Sequence, residues 1–280
     1  MTANADRNVD TQVVDGFGDE WSRFDQGSLS EKELRTIFDS YFHIFPWSEL
    51  PPEPVGFDAG CGSGRWARLV APRVGRLDCV DASSSAAAVA RRNLSTLANC
   101  RVHVAPVSEM PIADGSADFG YSLGVLHHIP DTAEGIRSCV RKLRHGAPFL
   151  LYLYYAFDNR PAWFRLLWRL SEPFRFVVSK APHALRYFLS QVIAVFVYWP
   201  LARLSRILER LGMDVEAIPL SFYRSRAFYV MRTDALDRFG TRLEKRFTRQ
   251  QMHRMMEQAD LERITFSNTA PFWCAVGFRK

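Results

Sequence analysis

Ten residues, Val55 to Gly64, read VGFDAGCGSG: a short apolar run, an acid, and then glycines at alternate positions, Gly60, Gly62 and Gly64. Glycine has no Cβ, so a chain built this way can turn sharply off a buried strand and pass close to a ligand. That makes the segment a cradle for a nucleotide-type cofactor. A dinucleotide fingerprint, G-x-G-x-x-G, needs its third glycine at position 65, which is occupied by Arg65. The spacing therefore disfavours a pyrophosphate ligand. With no diphosphate to seat, Asp58, the acid before the loop, suits a cationic partner.

Asp58-Ala-Gly-Cys-Gly-Ser-Gly64 resembles the first motif of class I S-adenosylmethionine (SAM)-dependent methyltransferases. Asp81, closing the run Leu77-Asp-Cys-Val-Asp81, matches that family's second-strand acid, which binds the ribose hydroxyls; a carboxylate can accept from both at once. The stretch Asp114 to Asp131, which contains Leu123-Gly-Val-Leu-His-His-Ile-Pro130, resembles the fourth-strand segment of the subgroup that includes quinone-biosynthesis methyltransferases (methyltransferase type 11). The similarity covers roughly residues 50 to 157 and the last thirty or so. It implies SAM as cofactor and S-adenosylhomocysteine as product, held by Asp58, Gly60, Cys61, Gly62, Gly64, Asp81, Ala82, Val107, Ser108 and Leu123. One departure stands out: Pro106 occupies the place of an acid that many relatives use on the adenine amino group, which leaves Ser108, Glu109 or backbone groups for that contact.

Short apolar runs alternating with helical patterns predict an α/β fold, a mostly parallel Rossmann-like doubly wound sheet with helices on both faces. Strands are expected at Val55–Ala59, Leu77–Asp81, Arg101–Ala105, Phe119–Leu123 and Phe149–Tyr155, with helices at Arg65–Val70, Ser84–Leu97 and Thr132–Leu143. A helix over Thr248–Ala259 and strands over Glu262–Ser267 and Phe272–Phe278 would close the sheet with an antiparallel last strand. The expected divisions are an N-terminal helical cap (1–50), a cofactor-binding core (51–157), a helical lid insertion (158–246) and a return to the core (247–280). Within the cap, Leu34, Ile37, Phe38, Tyr41 and Phe42 recur at helical spacing, while Trp21 and Phe24 either line the pocket or pack in the core. Disorder is expected only in the first dozen residues.

The net charge of +6 is unevenly placed, because residues 160–211 carry nine basic groups against Glu172 and Glu209, a local excess of +7. Arg165 and Arg169 share a helix face beside Trp163, Leu166, Leu167 and Leu170; Arg203, Arg206 and Arg210 repeat the arrangement beside Leu204, Ile207, Leu208 and Leu211. Three readings stay open for this insertion: a lid or homodimer surface with solvated arginines, a lid that recognises an anionic or lipid-like acceptor, and a peripheral membrane contact. The apolar stretch Val192–Ala202 is eleven residues long and contains Pro200, whereas a bilayer span takes about 20, so no transmembrane segment is expected. No nucleic-acid-binding motif accompanies the charge.

Methyl transfer from a sulfonium is an in-line displacement, so the protein has to align the partners and exclude water. A hydroxyl acceptor also needs a base, and His is the side chain with a suitable ordinary pKa. His127 and His128, at the end of the fourth strand, are the candidates. Tyr154, Tyr155, Asp158, Tyr223 and Arg224 are candidates for orienting a small or medium organic acceptor. No metal-ligand spacing occurs. The Asn/Asp-Pro-Pro-Tyr/Phe segment that this superfamily uses for amino groups is missing after strand four, so the expectation is O-methylation. Alternatives are C-methylation of a quinone-like, polyketide or lipid-linked ring, and an inert SAM-binding scaffold. Five scattered cysteines without a C-x-x-C pair read as reduced thiols, and with no secretory leader pattern the expected location is cytoplasmic.

Overall fold

The computed structural model describes residues 7–27 and 30–280 of the 280-residue chain. In chain order it begins with α1 (Thr11–Arg23), α2 (Glu31–Phe42), β1 (Val55–Ala59), α3 (Ala67–Val70), β2 (Arg76–Asp81), α4 (Ser84–Asn93) and β3 (Cys100–Val104). It continues through β4 (Phe119–Leu123), α5 (Thr132–Lys142) and β5 (Pro148–Tyr152) to four helices, α6 (Ala162–Ser179), α7 (His183–Ile193), α8 (Trp199–Arg210) and α9 (Phe228–Gly240). Last come α10 (Arg249–Gln258), β6 (Leu261–Phe266) and β7 (Ala275–Arg279). The chain divides into two compact units. One holds the residues up to Gln26, Leu34–Ala156 and Leu243–Lys280; the other holds Gly27–Glu33 and Phe157–Arg242.

The first unit contains the seven-stranded sheet, in the order β3-β2-β1-β4-β5-β7-β6. Strands β1 to β5 pair in parallel, and β7 runs antiparallel to both β5 and β6. The apolar runs of β1, β2, β4 and β5 are buried because helices cover the sheet, as a parallel sheet requires, while the edge strands β3 and β6 are partly exposed. Two glycines set the fit of the central strands. A Cβ on Gly56 would lie 2.2 Å from the Phe119 ring, and one on Gly120 would lie 2.2 Å from the Phe57 ring. Since β1 and β4 are adjacent, each strand makes room for the other's phenylalanine. The strand order reverses between β1 and β4, which leaves a crevice beyond their carboxyl ends where ligands of such sheets bind.

Most expected elements fall within a residue or two of their observed limits; strand five, the helix after Ser83 and the last strand, expected at Phe272–Phe278 and observed at Ala275–Arg279, do not. β5 stops at Tyr152 instead of Tyr155 because its neighbour ends: Leu123, the last residue of β4, pairs with Tyr152. The Tyr154 carbonyl instead accepts the Phe247 N–H, and the Ala156 N–H donates to Phe247. α4, capped by the Ser83 hydroxyl on the Ala86 N–H, ends at Asn93, after which Asn99 donates to the carbonyls of Ala71 and Val74 and holds the turn into β3.

The expectation of disorder through residue 12 is corrected from Arg7 onward, while residues 1–6 lie outside the described ones. Asp10 caps α1 by accepting the N–H groups of Gln12 and Val13. Asn8 exchanges two hydrogen bonds with the backbone of Asp131, and Arg7 pairs with Glu109 at 2.9 Å. These contacts tie the first residues to two loops of the sheet.

The second unit is helical. Residues 183–210 form one continuous helix of 28 residues, in which a π-helical turn, Ala194–Tyr198, joins α7 to α8. Pro200 does not break it. Proline lacks an N–H and crowds the carbonyl a turn before it; here it sits in the first turn after the wider π segment. By length and composition alone this helix is long and apolar enough to cross a membrane, which corrects the eleven-residue estimate. The reading of solvated arginines is also corrected for two of the nine basic groups. Arg175 and Arg186 are buried and donate to the carbonyls of Thr241 and Gly240, at the end of α9, and Arg175 also pairs with Glu172. Cations at a helix C-terminus satisfy orphan carbonyls and oppose the helix dipole.

Candidate functional site

The loop after β1 is built by backbone bonds that only a sharp turn permits. The N–H groups of Gly60 and Cys61 both donate to the Val80 carbonyl, at 2.7 and 3.0 Å, and Gly64 N–H closes back on the Cys61 carbonyl. Gly60, Gly62 and Gly64 all have positive φ. At Gly62 (φ +54°) a Cβ would also stand 2.8 Å from the Trp21 indole. The glycine is needed for its backbone angle and for the ring of α1 that packs on it, not only for a ligand's approach. Cys61 is buried in the loop beside Cys79.

Asp81 ends β2 and holds this loop. One of its oxygens accepts the Gly62 N–H at 2.9 Å and the other accepts the Ser83 N–H at 2.8 Å. Each oxygen keeps a second lone pair for a ligand hydroxyl. Ala82 follows directly. Asn93 donates to the carbonyls of Ser63 and Asp25, which fixes the far side of the loop to α4 and to the end of the N-terminal segment.

Asp58 lies one strand in from Tyr121, its register partner on β4. Its side chain is buried, Oδ2 has no hydrogen-bond partner, and burial pushes its pKa up to about 8, aided by the charge of Asp81 and opposed by the Tyr121 hydroxyl. A buried acid in this state gains by ionising against a cation. The buried Ser63 hydroxyl is likewise without a partner. An acid short of a positive partner, a free hydroxyl, and a carboxylate with lone pairs to spare are the donor set that a cationic, sugar-bearing ligand such as SAM would satisfy. Leu123 is buried at the end of β4, and Val107 opens the turn Val107–Glu109 beyond β3. The Ser108 hydroxyl in that turn donates to the Arg7 carbonyl, so its hydrogen is committed within the protein.

His127 and His128 sit in the turn after β4, both buried. His128 Nδ1 lies 2.7 Å from the Leu243 carbonyl. A carbonyl only accepts, so Nδ1 carries the hydrogen and the lone pair of the neutral ring is on Nε2. Phe17 of α1 packs edge-on against His128, 4.9 Å between centroids. Neither ring nitrogen of His127 has a hydrogen-bond partner, and burial, together with His128 and Arg246, holds its pKa well below the usual histidine range. The premise of an ordinary histidine pKa therefore fails for His127. The Tyr154 ring lies tilted against the His127 ring, 3.9 Å between centroids, and the Arg246 guanidinium lies over the Tyr154 ring, 5.1 Å from its centroid.

A strap of residues 243–247 holds the pair in place, and no local sequence pattern marks it. Leu243 orients His128, the Lys245 N–H donates to the His127 carbonyl, and the Lys245 ammonium reaches the carbonyls of Ile129 and Pro130. Arg246 forms a buried pair with Glu244 at 2.7 Å and donates to the Tyr155 carbonyl. Carbonyl contacts leave no residue signature, and only the charged Glu244-Lys-Arg246 run could have drawn attention.

The structure thus brings Asp58, the glycine loop, Asp81, Leu123, the two histidines, Tyr154 and Tyr155 into the sheet unit. Asp158, Tyr223 and Arg224 belong to the helical unit. There the Tyr223 hydroxyl donates to Asp234 at 2.7 Å and Arg224 pairs with Glu209 at 2.8 Å, so both serve that unit's own packing.

A seven-stranded sheet in this order, with a glycine loop after β1 and a loop-bonding acid at the end of β2, defines the class I SAM-dependent methyltransferase fold. Residues 57–151 match the family model described as a methyltransferase domain. A Mycobacterium tuberculosis protein described as a probable S-adenosylmethionine-dependent methyltransferase is 34% identical over 105 residues, 36% of this chain and 37% of that protein. An uncharacterized 37.1 kDa protein from a Streptomyces fradiae transposon is 31% identical over 104 residues, 36% of this chain and 30% of that one. Among solved structures, a chain of the complex between the Haloferax volcanii Trm112 methyltransferase activator and a methyltransferase aligns over 95% of this chain and 96% of its own length. Its TM-score is 0.52 at 15% identity, a likeness of fold. Residues 57–151, about a third of the chain, are thus similar to a methyltransferase domain, and the fold around them is that of the class I SAM-dependent methyltransferases. Its matched stretch spans about a third of the length of the curated relatives.

Proposed function

We propose that the chain transfers the methyl group of SAM to a hydroxyl oxygen of a small or medium-sized organic acceptor, with His128 as the base. The observation that carries this reading is the 2.7 Å contact between His128 Nδ1 and the Leu243 carbonyl, which leaves Nε2 as the proton-accepting nitrogen. When bound, SAM supplies an electrophilic methyl group on a positively charged sulfur. Asp58, ionised by that company, and Asp81, through its remaining lone pairs, would hold the cofactor. His128 Nε2 would receive the hydroxyl proton as the acceptor oxygen takes the methyl group, the carbon–sulfur electron pair remaining with sulfur. Phe17 and Tyr154 pack edge-on against the base and the His127 ring lies tilted beside it, which excludes water from the proton transfer.

The test combines methyl-labelled SAM, a panel of phenolic, alcoholic and carboxylic acceptors, and mass spectrometry of the products. An oxygen-methylated product is expected, with turnover in His128→Gln lower by about a hundredfold or more while calorimetry shows unchanged SAM binding. A product methylated on carbon or nitrogen, or an unchanged rate in His128→Gln, would overturn the proposal.

A further inference from the structure

Of the large apolar side chains that the described residues leave exposed, all but Val104 lie between positions 163 and 213, in the helical unit. On α6 they include Leu166, Leu170, Phe174 and Val177; on the 28-residue helix they include Phe188, Val192, Phe196 and Trp199, with Phe196 exposed to 73%. That helix buries the opposite stripe, Arg186, Ser190, Ala194, Tyr198, Ala202 and Ser205, within its own unit. Soluble surfaces scatter such residues singly, and a concentration of this kind marks a docking surface. The same outward surfaces carry Arg165, Arg169, Lys180, Arg203, Arg206 and Arg210. The two acids between residues 160 and 211 are already engaged, Glu172 by Arg175 and Glu209 by Arg224.

We propose that this surface docks the protein on an anionic lipid membrane, lying in the interface without crossing it. The proposal stands apart from the methyl-transfer reading. Three observations select the occupant. The face mixes aromatic and aliphatic groups with unpaired-sign positive charge, which is the composition of an interfacial amphipathic helix: rings sit at headgroup level and long basic side chains extend to the phosphates. A second copy of this chain would set arginine against arginine, because a twofold contact opposes a patch to itself. Spanning is disfavoured because one face of the long helix is committed to protein, with the Arg186 guanidinium bonded to the Gly240 carbonyl.

The test is co-sedimentation of the full chain with vesicles of phosphatidylcholine alone and of phosphatidylcholine containing about 30% phosphatidylglycerol. Binding is expected to the anionic vesicles and to weaken with salt. Arg203→Gln and Arg206→Gln should each lower affinity about fivefold, and Leu170→Ser with Phe196→Ser roughly tenfold or more. Arg206, Leu170 and Phe196 are exposed and Arg203 is half-buried over Trp199, and circular dichroism confirms that each variant is folded. Absence of binding to anionic vesicles would overturn the proposal. So would retention on the membrane after alkaline carbonate washing, which would mean insertion, or a dimer in ultracentrifugation that the same substitutions dissociate without any lipid binding.

Discussion

The Asp81 carboxylate accepts the Gly62 N–H at 2.9 Å, so the acid that ends β2 and the middle glycine of the loop after β1 are one mechanical piece. Its other oxygen takes the Ser83 N–H. With Asp81 as a SAM ligand, as proposed, cofactor affinity and loop stability would be linked at a single side chain.

Asp81→Ala should lower unfolding stability by about 3–6 kcal/mol, the worth of two hydrogen bonds to a charged acceptor, and should abolish measurable SAM binding in calorimetry. Asp81→Asn keeps one acceptor oxygen and should fall between the two. Equal chemical-denaturation midpoints for the wild type and Asp81→Ala would show that the loop does not depend on this carboxylate.

Gly62→Ala should cost about 1–2 kcal/mol from its left-handed backbone alone, and more because the new methyl meets the Trp21 indole at 2.8 Å. Trp21→Ala should recover the steric part and leave the backbone part. A double-mutant cycle by thermal melting separates them; strict additivity of the two changes would remove Trp21 from the account.

Asp58 has a folded-state pKa of about 8, against 3.8 for the free side chain. Its folded pKa is raised, so its contribution to stability is fully present below the unfolded value and is lost as pH climbs from about 4 to about 8. Asp58→Asn should flatten that descending limb. A cationic ligand reverses the preference, so SAM binding below pH 8 should release a proton, measurable as a dependence of calorimetric enthalpy on the buffer's ionisation enthalpy. A binding enthalpy independent of buffer would deny the ionisation of Asp58.

His127 shows the opposite sign. Its folded pKa is depressed, so its stabilising share is present above the ordinary histidine pKa and is lost as pH falls below about 6.5. His127→Phe, which keeps a ring against Tyr154, should reduce acid sensitivity between pH 6.5 and 4 when midpoints are compared across pH. An acid limb unchanged by the substitution would mean that another group unfolds the protein there.

The parts legible in the sequence are those that a few adjacent residues dictate. Val55–Ala59 and Phe119–Leu123 follow from apolar runs bounded by turns, and the glycine spacing and Asp81 mark the tight loop after β1 and the acid that bonds it. What stayed hidden depends on residues far apart in the chain. Trp21 on Gly62, Leu243 on His128 and Arg186 on Gly240 are separated by 41, 115 and 54 positions, and no local pattern couples them. Pro200 misled for a different reason: proline normally ends a helix, and a π turn just before it removes the conflict.

The crossed fit of Phe57 over Gly120 and Phe119 over Gly56 carries a lesson for redesign. Neither glycine can gain a methyl while its facing ring remains, so the four positions behave as two locks that must be rekeyed in pairs. A library that varies any one of them alone will return mostly insoluble protein, whereas trading a ring for a smaller side chain together with its opposite glycine offers a route to altering the sheet beneath the cofactor crevice.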